Sequence, residues 1–212
     1  MITVIGSLKG GSGKSTVTFN LAVWLSMAGQ DVLAIDVDPQ ATLSDVVEVR
    51  TEEGYEPAIV VKGKTALRQD AMQDADEVLI DIGTADIESM KKAISLADRI
   101  VVPVPPSQAD IWSTQRFIRF VASVRGIDDM PDMMGFINRA DTHRAVRESD
   151  EAAAALVSLP KIAYMKPRLC QRTVFRRSFS EGLAVFELDP RSKGTREWNS
   201  LVALLYPKLV SG

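Results

Sequence analysis

A chain of 212 residues with 46% hydrophobic and 25% charged side chains has the composition of a soluble globular protein. It is long enough to bury about 70% of its unfolded surface without disulfides or metal. Its one cysteine, Cys170, excludes an internal disulfide framework or a multi-cysteine metal site and predicts a reducing compartment, the cytoplasm. No apolar run reaches membrane-spanning length, and a formal net charge of -3 argues against nucleic acid as a global partner while allowing a local basic face.

Ile2, Val4 and Ile5 predict a buried strand leading into Lys9-Gly10-Gly11-Ser12-Gly13-Lys14-Ser15-Thr16. Beyond it Val17, Leu21, Ala22, Leu25 and Ala28 recur at helical spacing, predicting a helix with one buried stripe that ends at Gly29. Glycines in a strand-to-helix turn let successive backbone N–H groups converge on an anion at the helix N-terminus. Gly10, Gly11, Ser12, Gly13, Lys14, Ser15 and Thr16 are therefore candidate phosphate-binding residues. By the roles these residue types fill in any P-loop, Lys14 contacts the β- and γ-phosphates and Ser15 Oγ ligates Mg²⁺. The usual spacing would need a glycine at position 8, where Leu8 stands, so the standard pattern is broken.

Asp31 to Ile35 predicts the second strand, parallel to the first and joined to it by a right-handed crossover. Its end delivers Asp36-Val37-Asp38-Pro39-Gln40, two carboxylates in a loop that should face the phosphate turn. A solvated turn with an Asx cap competes with that reading. Helical pattern follows over 41–50, a polar connection over 51–57, a short strand over 58–61 and a helix through Met72. Val78-Leu79-Ile80-Asp81-Ile82-Gly83 puts an acid at the end of an apolar strand, where Asp81 would reach Mg²⁺ through water and hydrogen-bond Ser15. A helix over 86–97, a strand over 100–104, a Pro-Pro-Ser-Gln turn and a helix over 111–124 come next. The strand over 133–137 ends at Asn138, whose amide matches the donor and acceptor edge of adenine; an Asx-turn competes.

Lys166, Arg168, Arg172, Arg176 and Arg177 lie in a stretch without an acid, with Arg172 and Arg176 one helical turn apart. That pattern favours a surface for the phosphate backbone of DNA over a solvated helix face, with pairing to Glu181 or Glu187 as the alternative. A terminal amphipathic helix gathers Trp198, Leu201, Leu204 and Leu205 on one side. No repeat or linker interrupts the chain, which predicts one domain over 1–212, an α/β fold with a doubly wound, mostly parallel sheet flanked by helices.

Lys-Gly-Gly-x-Gly-Lys-Ser-Thr resembles the deviant Walker A box of the ParA/MinD ATPases, in which an early lysine joins the usual one. Asp-x-Asp-Pro-Gln, the strand ending at Asp81, Pro-Ser at 106–107 and Glu181-Gly182 through Glu187 extend the resemblance over nearly the whole chain. It implies ATP and Mg²⁺ as cofactors, catalytic roles for Lys9, Lys14 and Asp38, and Asp36 beside Asp81 in support of the metal. Asp38 would orient the attacking water, and Lys9 would reach the nucleotide of a second copy in an ATP-bound homodimer. The implied function is partition of a plasmid or chromosome by nucleotide-controlled, nonspecific DNA binding at the nucleoid, with hydrolysis stimulated by a separately encoded centromere-binding or adaptor protein. An organelle-positioning ATPase shares nearly every motif. A MinD-like membrane protein is disfavoured because the last turns carry one basic residue, and a nitrogenase-type reductase because one cysteine cannot supply a cluster.

Overall fold

Parallel strands covered on both faces lack the polar alternation of a half-exposed sheet, and the apolar runs of this chain have that character. The computed structural model describes residues 1–143 and 147–210. Its strands are β1 (Ile2–Ile5), β2 (Val32–Asp36), β3 (Val60–Gly63), β4 (Glu77–Asp81), β5 (Arg99–Val104), β6 (Asp132–Ala140) and β7 (Ala163–Cys170). The helices are α1 (Lys14–Met27), α2 (Thr42–Glu52), α3 (Ile87–Leu96), α4 (Gln108–Arg125), α5 (Glu148–Val157), α6 (Thr173–Ser180), α7 (Val185–Leu188), α8 (Lys193–Leu205) and α9 (Pro207–Val210). All seven strands join one parallel sheet in the order β3-β2-β4-β1-β5-β6-β7, the doubly wound α/β fold expected from the sequence.

Successive residues of the central strands point to opposite faces and feed two cores. Val4, Leu33, Ile35, Val78, Ile80, Ile100 and Val102 pack with α3, α4 and α5. Ile5, Ala34, Leu79 and Val101 pack with α1, α2 and α8 on the other face. Phe19 and Val23 are as buried as Leu21 and Leu25, so α1 is enclosed round most of its circumference rather than along one stripe. Ala28 lies beyond its end and is exposed.

Four further expectations change. β2 does not lie beside β1: β4 inserts between them, aligning Asp81 with Ile5 on one side and Asp36 on the other. The helix expected before Met72 is two 3-10 turns, Lys64–Ala66 and Gln69–Ala71. Ala66, Leu67 and Met72 are all buried, and an α-helix would spread those positions round its circumference instead of facing them to one core. The first half of the basic stretch is a strand, β7, at the sheet edge. Its pairing with β6 jumps from Phe136–Met165 to Asn138–Leu169, so the chain bulges at Lys166-Pro167-Arg168, where proline cannot donate to a ladder. On α8, Trp198, Leu201, Val202 and Leu205 are buried, whereas Leu204 is exposed.

Candidate active site

The phosphate turn runs from the end of β1 to the start of α1. Gly11 (φ +74°) and Gly13 (φ +91°) are left-handed, the conformation glycine adopts without the Cβ penalty of other residues. A Cβ on Gly13 would also lie 2.4 Å from Asn138 Nδ2. Gly13 is the N-cap of α1 and supplies no side-chain cap, and the first turn carries no acid. The helix therefore presents its free N–H groups and positive dipole end to the turn, an arrangement built for an anion. Lys14 is buried, with Nζ 3.4 Å from the carbonyl of Lys9. Burial lowers its pKa, an effect partly opposed by the charges of Asp81 and Asp38. A cavity of about 790 Å³ opens over the turn and is lined by Lys14, Ser15, Thr16, Asp38, Asn138 and, farther out, Phe175.

The insertion of β4 puts a buried carboxylate under this turn. Asp81 is 1% exposed, its Oδ1 lies 3.5 Å from Thr18 Oγ1, and its Oδ2 has no hydrogen-bond partner among the described residues. Burial pushes its pKa up to about 7, against the pull of the Ser15 hydroxyl and the Lys14 charge. A buried, half-satisfied acid beside a hydroxyl and an ammonium is short of positive charge, and a divalent cation fits that need. No cluster of three or more metal-ligating side chains occurs among the described residues, so such an ion would draw its remaining ligands from phosphate and water.

Asp36 and Asp38 are drawn to the same end of the sheet, and they differ in what their carboxylates do. Asp36 accepts from the Asp38 N–H (3.1 Å) and from both N–H and hydroxyl of Ser44 (2.9 Å each). Its carboxylate thus fastens the loop to α2, and the sequence had offered no sign of the Ser44 partnership. Asp38 lines the cavity and accepts from the Gln40 N–H at 3.0 Å. It sits against Gly83, where a Cβ would come within 2.7 Å of Asp38 Cγ and Oδ1.

Lys9 does not line the cavity over the turn. Its ammonium pairs with Asp110 at 3.0 Å, and Asp110, buried at the start of α4, is also hydrogen-bonded by Ser107, the N-cap of that helix. Ser-x-x-Asp before an apolar helix is a capping pattern, the signal that would have found this acid in the sequence. Asn138 lines the cavity, with its Nδ2 donating to the Ser12 carbonyl at 2.7 Å. Arg139, next along β6, donates to the carbonyl of Gly11 at 2.6 Å.

The basic stretch does not form the single acid-free face read from the sequence. Lys166 and Arg168 lie on β7 and Arg172 immediately precedes α6, with Arg176 and Arg177 on that helix. Arg172 is held by Glu197 of α8 through two nitrogens, Arg168 by Asp150 of α5 at 2.6 Å, and Arg177 by Glu181 at 3.3 Å. Asp150 and Glu197, remote in sequence, and Glu181, four residues past Arg177, thus neutralise cations that stand in an acid-free run. Glu187 pairs instead with the buried Arg50. Among the described residues Lys166 and Arg176 have no carboxylate partner, and both are exposed.

A glycine turn at a bare helix N-terminus, a buried lysine, and acids at the carboxyl ends of the adjoining parallel strands define a P-loop nucleotide-binding protein. Residues 3–185 match the family model of the CobQ/CobB/MinD/ParA nucleotide binding domain, and the chain belongs to this family. It is 25% identical over 198 residues to the maintenance of carboxysome distribution protein A of Halothiobacillus neapolitanus, covering 91% of this chain and 90% of that protein. Its fold superposes on a plasmid partition protein of Borrelia burgdorferi B31 bound to AMPPNP, with TM-score 0.74, 18% identity and 98% of each chain covered. It also superposes on the septum site-determining protein MinD of Pyrococcus horikoshii OT3 complexed with Mg-ADP, with TM-score 0.75, 20% identity, and 99% and 96% of the two chains covered. The chain is a ParA/MinD-type protein with the seven-stranded sheet of that fold.

Proposed function

We propose that this chain is a Mg²⁺-dependent ATPase that dimerises around ATP and distributes a DNA cargo, a plasmid or chromosome, by binding DNA without sequence preference. The observation that carries the enzymatic part is the buried Asp81 with its unpartnered oxygen directly beneath the phosphate turn. In this reading Lys14 and the N–H groups of Gly10 to Thr16 bind phosphate, Ser15 and Asp81 hold the metal, and the adenine lies near Asn138. Bound Mg²⁺ would supply positive charge to the phosphates. Asp38 orients water, and Asp36 acts by fixing the loop that carries Asp38.

Lys9 belongs to the dimer. A cation already paired with Asp110 adds nothing to its own phosphate site, so its catalytic role is assigned to contact with the other copy's nucleotide, which requires it to leave Asp110. DNA contacts come from Lys166 and Arg176, joined by Arg168 and Arg177, whose surface pairs are worth at most about 1 kcal/mol each and can be exchanged for phosphate. Arg172 is structural. A separately encoded partner stimulates hydrolysis.

One finding favours a second cargo. The similarity to the carboxysome distribution protein spans nearly both chains, so a protein organelle is the alternative load carried by the same cycle. The test of the shared reading is calorimetry with ATP and Mg²⁺ on wild type and Lys14→Ala, with light scattering on Lys9→Ala. Loss of binding in the first variant and loss of ATP-dependent dimerisation in the second are expected. Equal affinity in wild type and Lys14→Ala would overturn the site assignment.

A further inference from the structure

The phosphate turn has an outer side, and two consecutive residues of β6 grip it there. A turn whose N–H groups converge inwards directs carbonyls outwards, and a carbonyl without a donor leaves its peptide plane free to rotate. Asn138 Nδ2 serves the Ser12 carbonyl and Arg139 Nη1 serves that of Gly11, the two peptides immediately before Gly13. Arg139 does so from an unusual backbone. It stands at φ +56°, inside the second of two irregularities of the β6–β7 pairing, between Asn138 and Ala140, where a side chain with a Cβ costs about 1–2 kcal/mol. The side chain is exposed, so burial does not offset that strain. What the left-handed conformation achieves is aim: it turns the guanidinium of a strand residue onto the loop. The same side chain lines both the cavity over the turn and a neighbouring cavity of about 630 Å³ that holds Lys9 and Asp110.

We infer that Arg139 is a positioning residue that locks the Gly11 peptide, so that the turn keeps its phosphate-binding form before nucleotide arrives. This rests on the reading of the turn as the nucleotide's phosphate site. Backbone strain at Arg139 is exchanged for preorganisation of a different segment, so stability and affinity should respond to substitution in opposite directions.

That opposition is the test. Arg139→Gly relieves the strain and removes the clamp, and Arg139→Lys keeps a single cationic donor without the planar fork. AMPPNP affinity with Mg²⁺ is measured by calorimetry, and the thermal midpoint is measured on the nucleotide-free protein. Arg139→Gly should weaken AMPPNP about 10-fold, the scale of one hydrogen bond to a charged group, while its midpoint stays equal or rises; Arg139→Lys should recover part of the affinity. Equal affinity in wild type and Arg139→Gly would overturn the clamp alone. A fall in affinity matched by a fall in the midpoint would also overturn it, by making the residue merely structural. Wild type failing to bind AMPPNP would overturn the phosphate-site reading and the clamp with it.

Discussion

Replacing Gly83 by alanine tests how Asp38 is placed. Gly83 has no left-handed backbone to protect, so the effect of Gly83→Ala lies in the added methyl. That methyl would stand 2.7 Å from Asp38 Cγ and Oδ1 and 2.8 Å from its Cα. Ordinary contact begins at 3.4 Å, so the Asp38 loop must retreat by about 0.7 Å. Rotation of the side chain cannot relieve a clash that includes Cα, and the Asp36 and Ser44 bonds resist movement of the loop. Misplacing a catalytic group by 1 Å can cost about 100-fold, so turnover should fall about 10- to 100-fold. ATP affinity should change little, because Lys14 and the turn are untouched. Single-turnover release of phosphate at saturating ATP measures the loss. In an Asp38→Ala background the same substitution should have almost no further effect. Wild-type turnover in Gly83→Ala, or a full additional loss without Asp38, would refute the reasoning.

Arg50, 1% exposed, donates to both oxygens of Glu187 and to the carbonyls of Pro57 and Gly182; Arg50→Ala strands these acceptors and should cost about 3–5 kcal/mol in urea unfolding. A loss below about 1 kcal/mol would show the pair to be dispensable. Burial raises the Asp81 pKa to about 7 in the folded, metal-free protein, against an ordinary aspartate value of about 4 in the unfolded chain, so between those values the native state holds the extra proton and wild-type stability falls as pH rises. Asp81→Asn should therefore be more stable than wild type at pH 8 without metal, with the gain vanishing below about pH 4 in thermal unfolding; a pH-independent difference would contradict the shift. Lys166→Ala/Arg176→Ala should weaken ATP-dependent DNA binding and flatten its salt dependence in fluorescence anisotropy on two unrelated duplexes. Unchanged binding by a dimeric double variant would remove this surface.

Local signals were enough for the phosphate turn. Its glycines, Lys14 and Ser15 stand within eight consecutive residues, and the strand before and helix after are encoded by neighbouring apolar spacing, so nothing distant was needed to recognise it. The acids at 36, 38 and 81 were legible as strand-end residues, because a parallel sheet collects the carboxyl ends of its strands at one edge. Tertiary structure decided what those acids do. Only the insertion of β4 between β1 and β2 sets Asp81 beneath the turn, and strand order is a property of long-range pairing that periodicity does not carry. Only packing reveals that Asp36 is spent on Ser44, that Lys9 rests on Asp110 at a separation of 101 residues, and that Gly83 makes room for Asp38. The basic stretch shows the same limit from the other side: its cations are adjacent in sequence, while Asp150 and Glu197, which neutralise Arg168 and Arg172, come from helices on either side of it. Charge along a chain counts neighbours in sequence, whereas the field at a surface depends on neighbours in space.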